Sequence, residues 1–131
     1  MIKEFLIITN NDKVVEKLGD KFEIDYKEEY SYKDVLLKCR SLIHEGYKLT
    51  THPLSGSIKP NETPYKSVIL EKVKDGENKL DTSSLLIMED AIMVYDKFQN
   101  SRLTPQWIGR IHKDFKDIDL SLVSDAKEKL L

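Results

Sequence analysis

The chain has a single cysteine, Cys39, and therefore neither an intramolecular disulfide nor a CxxC redox pair. A lone thiol points to a reducing compartment, and the cytoplasm is the expected location. Long apolar runs are missing too: none approaches the roughly 18 residues that a membrane-spanning helix needs. The opening run Phe5 to Ile8 is short and lacks a small-residue cleavage signature, so no signal peptide is expected. No charge of one sign dominates. With 21 basic and 23 acidic residues the net charge is −2, which excludes a general pull towards nucleic acid or an anionic membrane, and neither is an expected partner. Glycine is sparse, and neither GxGxxG nor GxxxxGK[ST] occurs. The three histidines and Cys39 are too scattered for a metal-ligand pattern; no metal and no cofactor is expected.

What is present is an ordinary globular composition, 40% hydrophobic and 34% charged, which at 131 residues predicts one domain spanning 1–131. Phe5 to Thr9 reads as a strand covered on both faces. A short helix follows, with Val14, Val15 and Leu18 at helical spacing and Gly19 as its stop. Phe22 to Lys27 alternates apolar and polar residues, as a half-buried edge strand does. Ser31 to Gly46 is the clearest helix, opened by a capping box (Ser31, Asp34) and closed by Gly46, with Val35, Leu36, Cys39, Leu42 and Ile43 on one stripe. Cys39 on that stripe is read as a core residue. Tyr47 to Thr51 and Ser67 to Val73 read as a third and a fourth strand. A helix is expected from the caps at Asp81–Ser84 through about Phe98, with apolar residues on two faces. Thr104-Pro105 reads as the start of a further helix carrying Trp107, Ile108, Ile111 and Phe115, and a last helical segment runs from about Asp119 to Leu131. His112 is expected at the surface.

The order strand, helix, strand, helix, strand predicts a βαβαβ unit. The expected fold is therefore a single α/β domain with a mainly parallel sheet of about four strands and helices on both faces, a Rossmann-like or flavodoxin-like three-layer arrangement. In such sheets ligands bind beyond the carboxyl ends of the strands.

Two features fall at that edge. One is the turn Thr9, Asn10, Asn11 after the first strand. The other is TTHPLSGSIKPNETPYK, residues 50–66, which holds three of the four prolines. Each proline fixes φ and biases its predecessor towards extended backbone, so the loop is stiffened, and loops of this length inside a domain are commonly functional. Its candidate ligand-binding residues are Thr51, His52, Ser55, Gly56, Ser57, Lys59, Asn61, Glu62, Thr63 and Lys66. Gly56 between two serines offers successive N–H groups and hydroxyls to an anion, with Lys59 or Lys66 adding charge. The bland alternative is a rigid, solvated connection whose hydroxyls satisfy only its own turns. His52, at the end of a strand, is the candidate acid–base of an alternative reading as a small hydrolase- or transferase-type enzyme, with Glu62 as its carboxylate partner.

The opening IKEFLIITNN and the stretch THPLSGSIKPNETPYKSV resemble the GrdX family, small proteins of unassigned biochemical activity from gene clusters for glycine, sarcosine or betaine reductase. The resemblance implies an accessory role in amino-acid fermentation, with a small anionic or amino-acid metabolite or a reductase subunit as the partner. It brings no established catalytic residues. With only a core cysteine, the chain is a poor candidate for carrying electrons by thiol chemistry.

Overall fold

The computed structural model describes residues 2–54, 58–73 and 79–130. Its elements are β1 (Ile2–Thr9), α1 (Asp12–Leu18), β2 (Phe22–Tyr26), α2 (Tyr32–His44), β3 (Lys48–Leu49), β4 (Ser67–Glu71), α3 (Thr82–Ser101) and α4 (Arg110–Leu130). The strands form one sheet in the order β2-β1-β4-β3. β1 and β2 run parallel, but β4 is antiparallel to both β1 and β3. The sheet is mixed, and the expectation of a mainly parallel, Rossmann-like sheet is corrected accordingly.

The apolar runs explain the order. β4 places Val68, Ile69 and Leu70 in the central slot beside β1, where both faces are covered. The more polar third strand shrinks to two residues at the edge. Alternate side chains of the two central strands serve opposite layers. Leu6, Ile8, Val68 and Leu70 pack with Val35, Leu36, Cys39 and Ile43 of α2 and with Met88 and Ile92 of α3. Ile7 and Ile69 pack with Val14 and Leu18 of α1, Phe22, and Val123 of α4. The three-layer arrangement with helices on both faces holds, and each fully buried Leu or Ile contributes about 1.5–3 kcal/mol.

Local signals operate as the sequence indicates. Ser31 Oγ accepts from Asp34 N and Asp34 Oδ2 accepts from Ser31 N, closing the capping box. At the other end of α2, Gly46 adopts φ +108°, and Gly46 N and Tyr47 N donate to Ile43 O and Leu42 O. That is the paired bonding of a Schellman stop, and glycine carries the left-handed residue. Two helix expectations are corrected. Residues 103–108 are not helical, so Thr104-Pro105 opens no helix, and the two C-terminal segments form the single helix α4. In α3 the buried residues are Ser84 and the stripe of Met88, Ala91 and Ile92, while Leu86, Ile87 and Met93 are exposed.

β1, β2 and β3 point the same way, so their carboxyl ends, Asn10, the Tyr26–Ser31 connection and the 50–66 loop share one edge of the sheet.

Candidate functional site

Thr9, Asn10 and Asn11 leave β1 buried, and each binds a different element. Asn10 Nδ2 donates to Tyr30 O (3.1 Å) and Pro64 O (2.8 Å), and its Oδ1 accepts from Lys66 N (2.9 Å). One amide thus staples the β2–α2 connection to the proline loop. Asn11 is the N-cap of α1 through Lys13 N, and its Nδ2 donates to Lys116 O and to Asp119 Oδ2. Thr9 Oγ1 accepts from Asn11 N and shares a 2.6 Å bond with Ser67 Oγ.

These groups converge on Asp119 of α4, which is 6% exposed. Its Oδ2 accepts from Ser67 Oγ (2.6 Å) and Asn11 Nδ2, and its Oδ1 from Ser67 N (3.1 Å). Since Ser67 Oγ donates to the carboxylate, Thr9 Oγ1 donates to Ser67 Oγ, and the chain of donors is fully ordered. Burial pushes the Asp119 carboxyl above the usual carboxylate range, against the opposing pull of these donors and of Lys66.

Lys66 is the neighbouring anomaly. It is 8% exposed, and its ammonium has neither a hydrogen bond nor an ion pair among the described residues. It lies 5.8 Å from the Tyr32 ring centroid, beside two cavities of about 20 Å³ that Asp119 also lines. Burial lowers its affinity for a proton, with Asp119 opposing.

The residues proposed from sequence are thus brought to one edge but divided among three places. Asn10 enters the wall of a cleft of about 560 Å³. Thr51, His52 and Lys66 line one of the small cavities against Asp119. Lys59, Asn61 and Glu62 line a second cleft, of about 320 Å³, with Phe98, Arg102 and Trp107. Ser55, Gly56 and Ser57 lie outside the described residues. Several loop groups are engaged with the fold itself. Glu62 Oε1 accepts from Lys59 N, and Thr63 Oγ1 from Tyr65 N. Asn61 Nδ2 donates to Phe98 O and Arg102 O, closing the end of α3, and its buried Oδ1 has no partner among the described residues. His52 is exposed, its Nδ1 accepts from Leu54 N, and no bond joins it to Glu62 among the described residues.

A cleft of about 560 Å³ opens between the end of β1, the β2–α2 connection, the proline loop, α3 and α4. Five of the six tyrosines line it: Tyr26, Tyr30, Tyr32, Tyr65 and Tyr95. Tyr32 and Tyr95 stack with centroids 5.0 Å apart. Tyr65 OH bonds His112 Nδ1 at 3.0 Å. His112 Nε2 faces the Trp107 carbonyl and donates to it, so in the neutral ring Nδ1 is the acceptor and Tyr65 the donor. His112 is therefore half-buried and bonded at both nitrogens, in place of the expected surface position. Lys116 bridges to Asp12 at 2.9 Å in the same wall.

The family model for GrdX-like protein matches residues 6–128. The chain belongs to the GrdX-like protein family. No curated protein and no solved structure matches it. The family name is consistent with an association with glycine-reductase gene clusters. In this GrdX-like chain the sequence stretches that carry the family resemblance, the β1 turn and the proline loop, are the two that Asn10 fastens together.

Sequence reasoning missed Asp119, Ser67 and the tyrosines. For the tyrosines a signal existed: Tyr26, Tyr30 and Tyr32 crowd into seven residues of a connection at the strand-end edge. Asp119 carries none, since one aspartate on a charged amphipathic helix looks like any solvated residue. No helix among the described residues is long and apolar enough to cross a membrane. None of their His, Cys, Asp or Glu side chains group in threes to hold a metal.

Proposed function

We propose that this protein is a non-catalytic accessory protein of the glycine, sarcosine or betaine reductase system that binds a small anionic or amino-acid metabolite. The binding place is the tyrosine-lined cleft, to which the 50–66 loop contributes Pro64 and Tyr65. The observation that carries this reading is the cleft itself: about 560 Å³, within the range of small-ligand sites, at the strand-end edge where α/β sheets hold ligands. Its walls mix aromatic rings with Asn10, Ser31, Thr104, Gln99 and the Asp12–Lys116 pair, as suits a ligand with both charged and apolar parts. The enzymatic alternative has less support, because His52 is exposed and the Glu62 carboxylate is bonded to its own loop.

The test is a thermal-shift screen with glycine, sarcosine, betaine, acetyl phosphate and phosphate. A ligand that binds only the native state at 100 times its Kd stabilises by about 2.7 kcal/mol, a rise in Tm of several degrees. The expected hit is lost in Tyr26→Leu and kept in Lys59→Ala, which separates the tyrosine cleft from the cleft at Trp107. No hit across the panel refutes a metabolite-binding role of this kind and leaves reductase subunits as the partners to be tested by pull-down.

A further inference from the structure

We propose that the outer face of α3 is a self-association surface, on which a second copy of this chain lays its own α3 antiparallel. The surface is the stripe Leu86, Asp90, Met93 and Lys97, and the inference is independent of the cleft. These residues are spaced four, three and four apart, the spacing at which one helix meets another along a seam. At 3.6 residues per turn they fall within an arc of about 60°. Ser84, Met88, Ala91 and Ile92, the buried residues of α3, lie on the opposite side.

All four stripe residues are exposed. Leu86 and Met93 are 65% and 69% exposed, more than any other large apolar side chain in a helix or strand among the described residues. Single exposed apolar residues are ordinary, but two on one stripe, seven residues apart, form a contiguous patch for a partner to cover.

The charges identify that partner. On the flank towards α2, the α3 carboxylates are satisfied within the chain, Glu89 by Arg40 and Asp96 by Lys33. Asp90 and Lys97 have no ion-pair partner among the described residues. Asp90 precedes Met93 by three residues and Lys97 follows it by four. A two-fold axis close to Met93 therefore sets Asp90 of each copy against Lys97 of the other, with the two Met93 side chains between them. Leu86 then reaches the last turn of the second copy's α3. A two-fold contact must be self-complementary, and this stripe is, with an acid on one side of an apolar centre and a base on the other. Parallel pairing would set Asp90 against Asp90 and Lys97 against Lys97, which repel. One helix pair is a small contact beside the roughly 1,600 Å² of a standard interface, so the dimer is expected to be reversible.

Sedimentation velocity of the whole chain over a concentration series tests this. The wild type is expected to move from 15.2 kDa towards twice that mass as concentration rises. Met93→Glu, which brings two carboxylates together at the axis, is expected to stay monomeric with an unchanged circular dichroism spectrum. Asp90→Lys and Lys97→Asp are each expected to weaken association at least about tenfold, because each sets like charges together. The double variant D90K/K97D is expected to recover it, as is an equal mixture of the two single variants. Positions 90 and 97 are two helical turns apart, roughly 10 Å, so this rescue comes from between copies and not from within one. The charge variants decide the matter if Met93→Glu disturbs folding. A wild type that stays monomeric up to about 0.5 mM overturns the proposal. So does a dimer indifferent to Met93→Glu and to both charge reversals, whose interface lies elsewhere. Failure of the double variant to recover what the single variants lose refutes the antiparallel register.

Discussion

Replacing Asp119 by asparagine tests whether the buried carboxylate holds α4 to the sheet. The substitution conserves shape and changes one acceptor oxygen into a donor. If the amide oxygen takes the Oδ2 position, it keeps Ser67 Oγ and Asn11 Nδ2, but the new NH₂ faces Ser67 N. In the other orientation Ser67 Oγ turns to accept and to donate back to Thr9, and Asn11 Nδ2 loses its partner at Asp119. Either way one buried donor faces another. An orphaned buried donor costs about 1–3 kcal/mol, and hydrogen bonds to a charged group contribute about 1.5–3 kcal/mol each. Removing the charge relieves part of the burial penalty that raises the Asp119 pKa. The net expectation is a loss of about 3 kcal/mol, near 10 °C in Tm for a domain of this size.

Urea unfolding followed by circular dichroism at neutral pH measures the loss directly. Asp125→Asn, the same change at an exposed position of the same helix, is the control, expected within about 0.5 kcal/mol of wild type. A double-mutant cycle with Ser67→Ala should give a coupling of at least about 1 kcal/mol. If Asp119→Asn cost less than about 1 kcal/mol with no coupling to Ser67, the clasp would not be what fastens α4.

Lys66→Met should stabilise the protein at neutral pH, because it removes a buried ammonium with no partner among the described residues and keeps its length. The sign of the pH effect follows from burial lowering the folded-state pKa below 10.5. Between the two values the unfolded chain holds more protons, so wild-type stability should rise with pH there, and Lys66→Met should lack that rise. Parallel pH curves for the two proteins would refute the assignment. Cys39, fully buried with its thiol pushed up by burial, should resist a thiol reagent in the native state and react once urea unfolds the chain. Rapid native labelling would contradict the packing of α2 on the sheet.

The layers of this fold were legible where one residue pattern has one physical solution. The capping box of α2, its glycine stop and the continuous apolar run of β1 each specify a local geometry, and each is found. Strand direction was harder to read. A strand–helix–strand–helix–strand order favours a parallel sheet, but a loop that reverses at one edge makes β3 and β4 a long hairpin, and sequential strands usually pair. The composition held the correction: Val68-Ile69-Leu70 is apolar on both faces and suits a centre, whereas Tyr47-Lys48-Leu49-Thr50 suits an edge. In the site, the strand-end edge was legible from topology. Which of its residues meet was not, because that depends on α4 returning to the sheet from 105 residues away through Asn11 and Lys116.

The proline loop illustrates why polar composition alone does not locate a binding surface. Its side chains were candidates for ligand contacts because they are numerous and close in sequence. Where they are described, several bind the protein: Thr50 Oγ1 donates to Ile69 O, Glu62 caps its own turn and also accepts Trp107 Nε1 at its carbonyl, and Asn61 closes α3. The segment 58–66, fastened at this many points, has little conformational freedom left to lose, which on the proposed reading lowers the cost of binding a ligand. What it offers the cleft is therefore position more than chemistry. Pro64 O is fixed by Asn10, Tyr65 N by Thr63 and Tyr65 OH by His112, and the Tyr65 ring is set as one wall against Lys116. On that reading the fastened segment and the tyrosine-lined cleft are two parts of one device, a preformed wall and the rings it aligns.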